Sequence, residues 1–366
     1  MADTHTAAER GHARQIGIIG GGQLARMLAM AAARLGHTTV VLDPDPICPA
    51  SQVCNLLITA DYDDAEAMGS LAICDVVTYE FENVDVDAVN AVSSNVDIFP
   101  ATRALGVAQD RLAEKQFLQS AGLRTADHQD ITTAADLANA LEAFGGKGIL
   151  KTRRFGYDGK GQVVFRGNAD DPSPQDALEL IADAPAILEA FVPFQREISV
   201  IATRGRDGTC VCFDPAENVH RNGILRISTV PADIEEKTRV MAKSHAQSLL
   251  TALDYVGTLG LEFFVMPDGG LIANEFAPRV HNSGHWTEAA CTINQFEMHI
   301  RAITGWRLVA PIRHSNAEMH NLLGDEIAQI EALAERPDAF VHDYGKSERR
   351  PGRKMGHVTF LTKISG

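Results

Sequence analysis

The 366-residue sequence has no long apolar run, no CxxC pair and no excess of basic charge. A membrane-crossing helix needs about 18–20 predominantly apolar residues. The stretch richest in Ala and Leu, Leu24 to Leu35, is interrupted by Arg26 and Arg34, so no span is expected. The six cysteines (Cys48, Cys54, Cys74, Cys210, Cys212 and Cys291) lack metal or redox spacing, and a chain this long needs no disulfide to fold. They are expected to be reduced, in a cytoplasmic protein, with Cys210 and Cys212 sharing one buried strand face. Residues 1–14 show no signal-segment layout and are expected to be disordered. Lys plus Arg is 33 against 48 Asp plus Glu, a net charge of −15. Nucleic acid and anionic membranes both demand a basic face, so neither is an expected partner.

An apolar content of 45% and a charged content of 22% are globular values, and the length suits two or three domains. The charge is uneven: residues 344–366 hold 6 basic and 1 acidic side chain, a local +5 in an acidic protein. Along the first third, strands (15–19, 37–42, 75–78 and 96–99) alternate with helices (24–34, 64–73 and 84–92), the pattern of an α/β layer with a largely parallel sheet. An amphipathic helix over 109–121 follows. The middle reads as α+β: helix 133–144, a hairpin of 148–154 with 162–165, a polar linker 168–176, strands 186–192, 197–204 and 209–213, and helix 233–253. Two strands then flank Met266–Gly270, and a helix covers 295–304. The tail after 310 holds a short helix, 326–333, and two strands, too little to fold alone.

Five motifs carry chemistry. Gly20-x-Gly22-x-x-Ala25 follows a strand and opens a helix, with Asp43 ending the next strand, so a dinucleotide-dependent oxidoreductase is one reading. Tight strand-to-helix turns favour glycine anyway, and no hydride-transfer site is visible elsewhere. Lys151 precedes the loop Arg153–Gln162, whose Gly156, Gly159 and Gly161 let backbone N–H groups cradle phosphates, although the P-loop pattern is absent. Leu261–Val265 and Leu271–Phe276 flank a turn; a two-residue Asp268-Gly269 turn would set Glu262 directly opposite Glu275. Like charges so paired destabilise a sheet unless a cation lies between them, and two carboxylates with Asn274 suit Mg²⁺; the alternative is two solvated glutamates. Pro278–Trp286 gathers Arg279, His281, Asn282 and Ser283, donors for a small anion, or simply a polar loop with a helix cap. Tyr344–His357 concentrates the basic charge, as a phosphate clamp or a solvated end.

Together these segments resemble the N5-carboxyaminoimidazole ribonucleotide synthetase family of ATP-grasp enzymes. The matching runs are GGGQLARM, TYEFENV, KTRRFGYDGKGQ, ENVHRNGIL, NEFAPRVHNSGHWT and YGKSERRPGRKMGH. The resemblance implies a pre-ATP-grasp, Rossmann-like domain (15–107), an ATP-grasp domain (108–310, lid about 125–190) and a small C-terminal domain (311–366). It implies an ATP-dependent C–N ligase that carboxylates 5-aminoimidazole ribonucleotide with bicarbonate through carboxyphosphate, as a homodimer. Arg111, Lys151 and the lid residues Gly156, Tyr157, Asp158, Gly159, Lys160, Gly161 and Gln162 would hold ATP phosphates. Glu189, Phe191 and Val192 would meet adenine and Glu197 the ribose, with His220 and Asn274 as further nucleotide contacts. Glu262 and Glu275 would hold Mg²⁺. Arg279, His281, Asn282 and Ser283 would cradle bicarbonate, and Glu80, Tyr157, Lys346 and Arg353 the ribonucleotide, the last two on its 5′-phosphate. Related rivals are a formate-dependent transformylase, a biotin-dependent carboxylase or an inactive ATP-binding regulator.

Overall fold

A computed structural model describes residues 12–154 and 161–364. The first layer is β1 (Gln15–Ile19), α1 (Gln23–Arg34), β2 (Thr38–Leu42), β3 (Leu56–Ile58), α2 (Ala65–Ser70), β4 (Val76–Tyr79) and α3 (Val86–Ser93). Its strands run parallel in the order β3-β2-β1-β4, and the central β1 is buried along nearly its whole length, as a strand covered on both faces must be. The expected strand at 96–99 makes only one bridge, Val77 to Ile98. Pro100 follows and has no N–H with which to continue a ladder.

Two helices, α4 (Thr102–Ala108) and α5 (Arg111–Ser120), lead into a second layer. It comprises β5 (His128–Ile131), α6 (Ala134–Ala143), β6 (Lys147–Thr152), β7 (Gln162–Arg166), α7 (Pro174–Leu180) and β8 (Ala186–Ala190), with antiparallel strand order β5-β8-β6-β7. Helix α7 starts inside the expected linker, taking its last three residues, 174–176, and runs on to Leu180. Ser173 caps it, its Oγ accepting from the Asp176 N–H at 3.2 Å, and Pro174 stands at the first helical position.

The third layer contains β9 (Arg196–Arg204), β10 (Cys210–Cys212), β11 (Ala216–Arg221), β12 (Ile224–Val230), α8 (Glu236–Ala252), β13 (Gly257–Val265), β14 (Leu271–Ala277), α9 (Thr287–Ala290) and α10 (Gln295–Ile303). The β11–β12 hairpin was not expected. It turns on Asn222 (φ 52°) and Gly223 (φ 75°), the left-handed pair that a tight two-residue turn requires. The tail supplies three strands rather than two: β15 (Asn316–Leu323), β16 (Ala339–Asp343) and β17 (Lys354–Thr362), with α11 (Ile330–Ala334) following a 3₁₀ turn at Gly324–Gln329. These extend the third layer into one nine-stranded sheet, ordered β14-β13-β9-β11-β12-β15-β17-β16 with β10 on β9. Ala317 and Met319 of β15 share a core with Ile201, Phe213 and Trp286. All six cysteines are free, and Cys210 and Cys212 pack on the core beneath α8.

The β13–β14 turn corrects the two-residue expectation. Met266 and Gly270 pair, and the Gly269 N–H donates to Met266 O at 2.8 Å, so three residues make the loop. Near the turn Phe263 faces Ala273, yet farther on Leu261 faces Phe276. The difference is one extra residue in β14, a bulge that sets both Asn274 and Glu275 against Glu262. A longer turn and a bulge offset each other, leaving Glu262 beside Glu275 as the shorter turn would have done.

Candidate active site

The layers enclose a cavity of about 470 Å³ whose walls come from both antiparallel sheets and from α5. Helix α5 shows why. Its inward stripe is the partly buried Arg111 with the buried Glu114, Lys115 and Leu118, spaced i, i+3, i+4, i+7, where apolar residues are the rule. Glu114 and Lys115 are only 3% and 2% exposed, so each must be paired. Lys115 Nζ lies 3.4 Å from Glu189 Oε2, and Lys151 Nζ lies 3.1 Å from the same atom. Glu114 accepts from the Phe276 N–H at 2.7 Å, and Arg111 reaches Glu275 at 3.2 Å. Strand β6 supplies Lys151, β7 supplies Gln162, and the first turn of α5 supplies Arg111; all three line the cavity.

Opposite them stand the carboxylates. Glu262 and Glu275 line the cavity with Asn274, Glu197 and His220. Burial and the charge of Glu275 push the Glu262 carboxyl up to about 7. For Glu275, Arg111, Lys151 and Lys115 outweigh desolvation and hold it below its ordinary value. His220 Nδ1 is 2.7 Å from Glu197 Oε2, and despite burial that contact and the charge of Glu262 raise the imidazole. Two carboxylates crowded so that one holds its proton up to about pH 7 are short of positive charge. A divalent cation supplies it with hard oxygen ligands, so the donor set fits Mg²⁺.

The loop after β14 brings Arg279, His281 and Asn282 to the cavity, whereas Ser283 is wholly buried behind them. Ser283 Oγ is 2.8 Å from His281 Nδ1 and 2.6 Å from Ser199 Oγ, a relay that fixes the imidazole ring. His281 Nε2 faces Glu262 at 3.4 Å. Burial, with Arg279 and Lys354 nearby, lowers His281 to about 3, so it is a neutral hydrogen-bonding group. Arg279 pairs with Glu82, and Asn282 donates to Asn321 Oδ1 at 3.0 Å.

Other expected residues lie apart from this cavity. Glu189 sits behind its wall, held to about 2 by Lys151 and Lys115 against the cost of burial. Phe191 and Val192 follow β8 and are not among the residues lining the cavity, Phe191 being half exposed. Gly161 (φ 68°) is the first described residue beyond the lid tip, while Gly156, Tyr157, Asp158, Gly159 and Lys160 lie outside the described residues. Glu80, Lys346 and Arg353 form a second cluster: the Lys346 ammonium feels Arg353 and Glu80, and burial lowers it to about 8. Glu80 also answers the oxidoreductase reading. Its carboxylate accepts from the N–H groups of Gly22, Leu24 and Ala25, filling the helix N-terminus that a pyrophosphate would need. Asp43 is likewise committed, to the Gly21 N–H and the Tyr62 hydroxyl.

Residue-by-residue reading missed Lys115, Glu82, Glu114 and Lys354. Charges on the apolar stripe of α5 were the available signal for Lys115 and Glu114; Glu82 and Lys354 meet the cavity only through tertiary folding.

Comparison with known proteins agrees with this geometry. Residues 13–109 match the ribonucleotide synthetase preATP-grasp domain family, 116–296 the ATP-grasp domain family, and 317–365 the phosphoribosylaminoimidazole carboxylase C-terminal domain family. Fold and cavity together define an ATP-grasp ligase. The chain is 56% identical over 345 residues to the N5-carboxyaminoimidazole ribonucleotide synthase of Brucella melitensis biotype 1, covering 94% of this chain and 95% of the relative. It belongs to the N5-carboxyaminoimidazole ribonucleotide synthase family. Among solved structures, the N5-carboxyaminoimidazole synthetase of Staphylococcus aureus complexed with ADP has a TM-score of 0.90 at 40% identity, over 95% of this chain and 93% of that one. The Aspergillus clavatus synthase in complex with ADP and 5-aminoimidazole ribonucleotide has a TM-score of 0.88 at 31% identity, over 96% and 94%.

Proposed function

We propose that this chain carboxylates the exocyclic amine of 5-aminoimidazole ribonucleotide, consuming ATP and bicarbonate and releasing ADP and phosphate, in purine biosynthesis. The observation that carries the reading is the continuity of one cavity from the Glu262/Asn274/Glu275 carboxylate face to the Arg279–Asn282 anion loop. Bicarbonate is a poor electrophile until phosphorylated, and phosphoryl transfer is chiefly positioning and charge neutralisation. Arg111 and Lys151 hold the nucleotide phosphates. Glu197 and His220 meet the ribose, and the segment Glu189–Val192 the adenine. Glu262 and Glu275 bind Mg²⁺, which when present neutralises charge on the transferring phosphoryl group. Arg279, neutral His281 and Asn282 orient bicarbonate, with Ser283 holding His281 in place. The resulting carboxyphosphate must meet the amine before water does, and closure of the lid Gly156–Gln162, which the family resemblance implies, would provide that exclusion.

The ribonucleotide lies toward Glu80, Lys346 and Arg353, the lysine and arginine on its 5′-phosphate; Tyr157, outside the described residues, is assigned to it by the family resemblance alone. The functional units are 15–107, 108–310 with a lid at about 125–190, and 311–366, working as a homodimer in the cytoplasm. No described helix is long and apolar enough to cross a membrane. The test is ADP release by the purified protein. It should require both bicarbonate and 5-aminoimidazole ribonucleotide, and release with formate and glycinamide ribonucleotide instead would overturn the reading.

A further inference from the structure

Away from the ATP cavity, the described residues bring together a second set of ligand-type side chains. Glu288 Oε2, His342 Nδ1 and His357 Nε2 all lie within 4.8 Å of one another. Glu288 stands on α9, just after the anion loop, while His342 and His357 are direct cross-strand partners on β16 and β17. His342 Nδ1 is 3.3 Å from Glu288 Oε2, and His357 Nε2 is 3.9 Å from it.

His357 is fully buried, and its Nδ1 is 3.0 Å from the hydroxyl of Tyr344, itself fully buried. With Nδ1–H donating to that hydroxyl, Nε2 presents a bare lone pair to a carboxylate oxygen. Neither His357 Nε2 nor Glu288 Oε2 has a hydrogen-bond partner among the described residues. The opposite tautomer does not repair this, because 3.9 Å is too long for an Nε2–H bond to Glu288. Two buried acceptors facing each other are costly unless a cation lies between them.

We propose that Glu288, His342 and His357 bind one divalent transition-metal ion of the zinc type. Two imidazoles and a carboxylate, with solvent in a fourth position, are a zinc donor set, whereas Mg²⁺ prefers oxygen alone. Bonds of ~2.0–2.1 Å in tetrahedral array put ligand atoms about 3.3 Å apart, close to the spacing between His342 and Glu288. Tyr344 then takes the outer-shell place that fixes the His357 tautomer. The His342 and Glu288 side chains are 9% and 12% exposed, leaving an edge for entry and for the water ligand. The ion ties β16 and β17 to the helix that follows Asn282 and Ser283, so it braces the anion loop against the C-terminal strands.

The test uses the full chain, stripped with a chelator and then dialysed against Zn²⁺ or Co²⁺ without nucleotide. One equivalent is expected to bind, with the visible absorption of tetrahedral Co²⁺ and a rise in Tm on metal addition. His342→Asn, less buried than His357, should abolish all three responses while remaining folded by circular dichroism, and Glu288→Gln should do the same. Absence of stoichiometric uptake by the native chain overturns the proposal. So does uptake unchanged in the folded His342→Asn protein, or uptake lost only in Glu262→Gln, which would put the ion in the ATP cavity.

Discussion

At the scale of single residues, the site is a set of charges held in arrangements that folding alone disfavours. Glu262 is the clearest case. Its carboxyl rises from 4.5 to about 7 through burial and the charge of Glu275. As pH rises, the unfolded chain therefore loses this proton first, and the stability Glu262 contributes below pH 4.5 falls away by about 7. Glu262→Gln should remove that decline and leave the nucleotide-free protein as stable or more so at neutral pH, measured by denaturant titration across the interval. If Glu262 is a Mg²⁺ ligand as proposed, the same change should lower turnover about 100-fold or more. Glu189 runs the other way. Lys151 and Lys115 hold it at about 2 in spite of burial, so its stabilisation is present above the usual carboxylate range and lost as pH falls through about 2. Glu189→Gln strands two buried ammonium groups and is expected to cost about 3 kcal/mol in urea unfolding; a loss under about 0.5 kcal/mol would contradict the pairing. Much at this scale was legible: Glu262, Glu275, Lys151 and Arg279 stand out because charged residues sit where strand or loop context predicts burial. Glu82 and Lys354 did not, since their partners in space are far away in sequence.

At the scale of elements, the join between α5 and β6 rests on one side chain. Asp110 caps α5, its Oδ1 accepting from the N–H groups of Leu112 and Ala113. The same carboxylate holds Arg153, 2.7 Å away, and the Arg111 N–H donates to Arg153 O. One side chain thus fixes both the helix that presents Arg111 and the strand end from which residues 155–160 depart. Asp110→Ala should cost about 1–2 kcal/mol, the cap plus the pair, and raise the KM for ATP; Asp110→Asn keeps the cap and should recover roughly half of the lost stability. Steady-state kinetics and thermal unfolding of the two variants separate the contributions. Elements with strong periodicity, such as α1, α5 and α10, could be read within a residue or two. The β11–β12 hairpin and α7 carried signals in Asn222-Gly223 and Ser173-Pro174, outweighed in a reading by polarity of the surrounding segments. The β14 bulge had no such signal. It arises because the loop at 267–269 and the pairing of Gly260 with Ala277 both have to be satisfied, a condition that exists only once the sheet has formed.

At the scale of the whole molecule, the basic end of an acidic chain takes its meaning from where the sheet carries it. Strands β15–β17 continue the central sheet from β12, so the tail is structurally part of the layer that holds Glu262 and Glu275. A chain ending at 310 would leave the β12 edge unpaired and Trp286 uncovered, and is expected to aggregate on expression. The functional contribution of the tail needs a gentler change. Lys346 is lowered from 10.5 to about 8 by burial and by Arg353. It is therefore cationic below about pH 8 and neutral above, and its hold on a 5′-phosphate should weaken in that direction. The KM for 5-aminoimidazole ribonucleotide should climb through pH 8–9 by a larger factor than the KM for ATP, for which Arg111 and Lys151 are the proposed contacts. Lys346→Ala should raise the ribonucleotide KM about 10–100-fold at pH 7, the size of one charge-assisted hydrogen bond, and abolish the pH step. Lys346→Arg, charged throughout, should restore binding and show no step. Equal effects on both substrates would mean that the tail supports the cavity as a whole and does not clamp the phosphate.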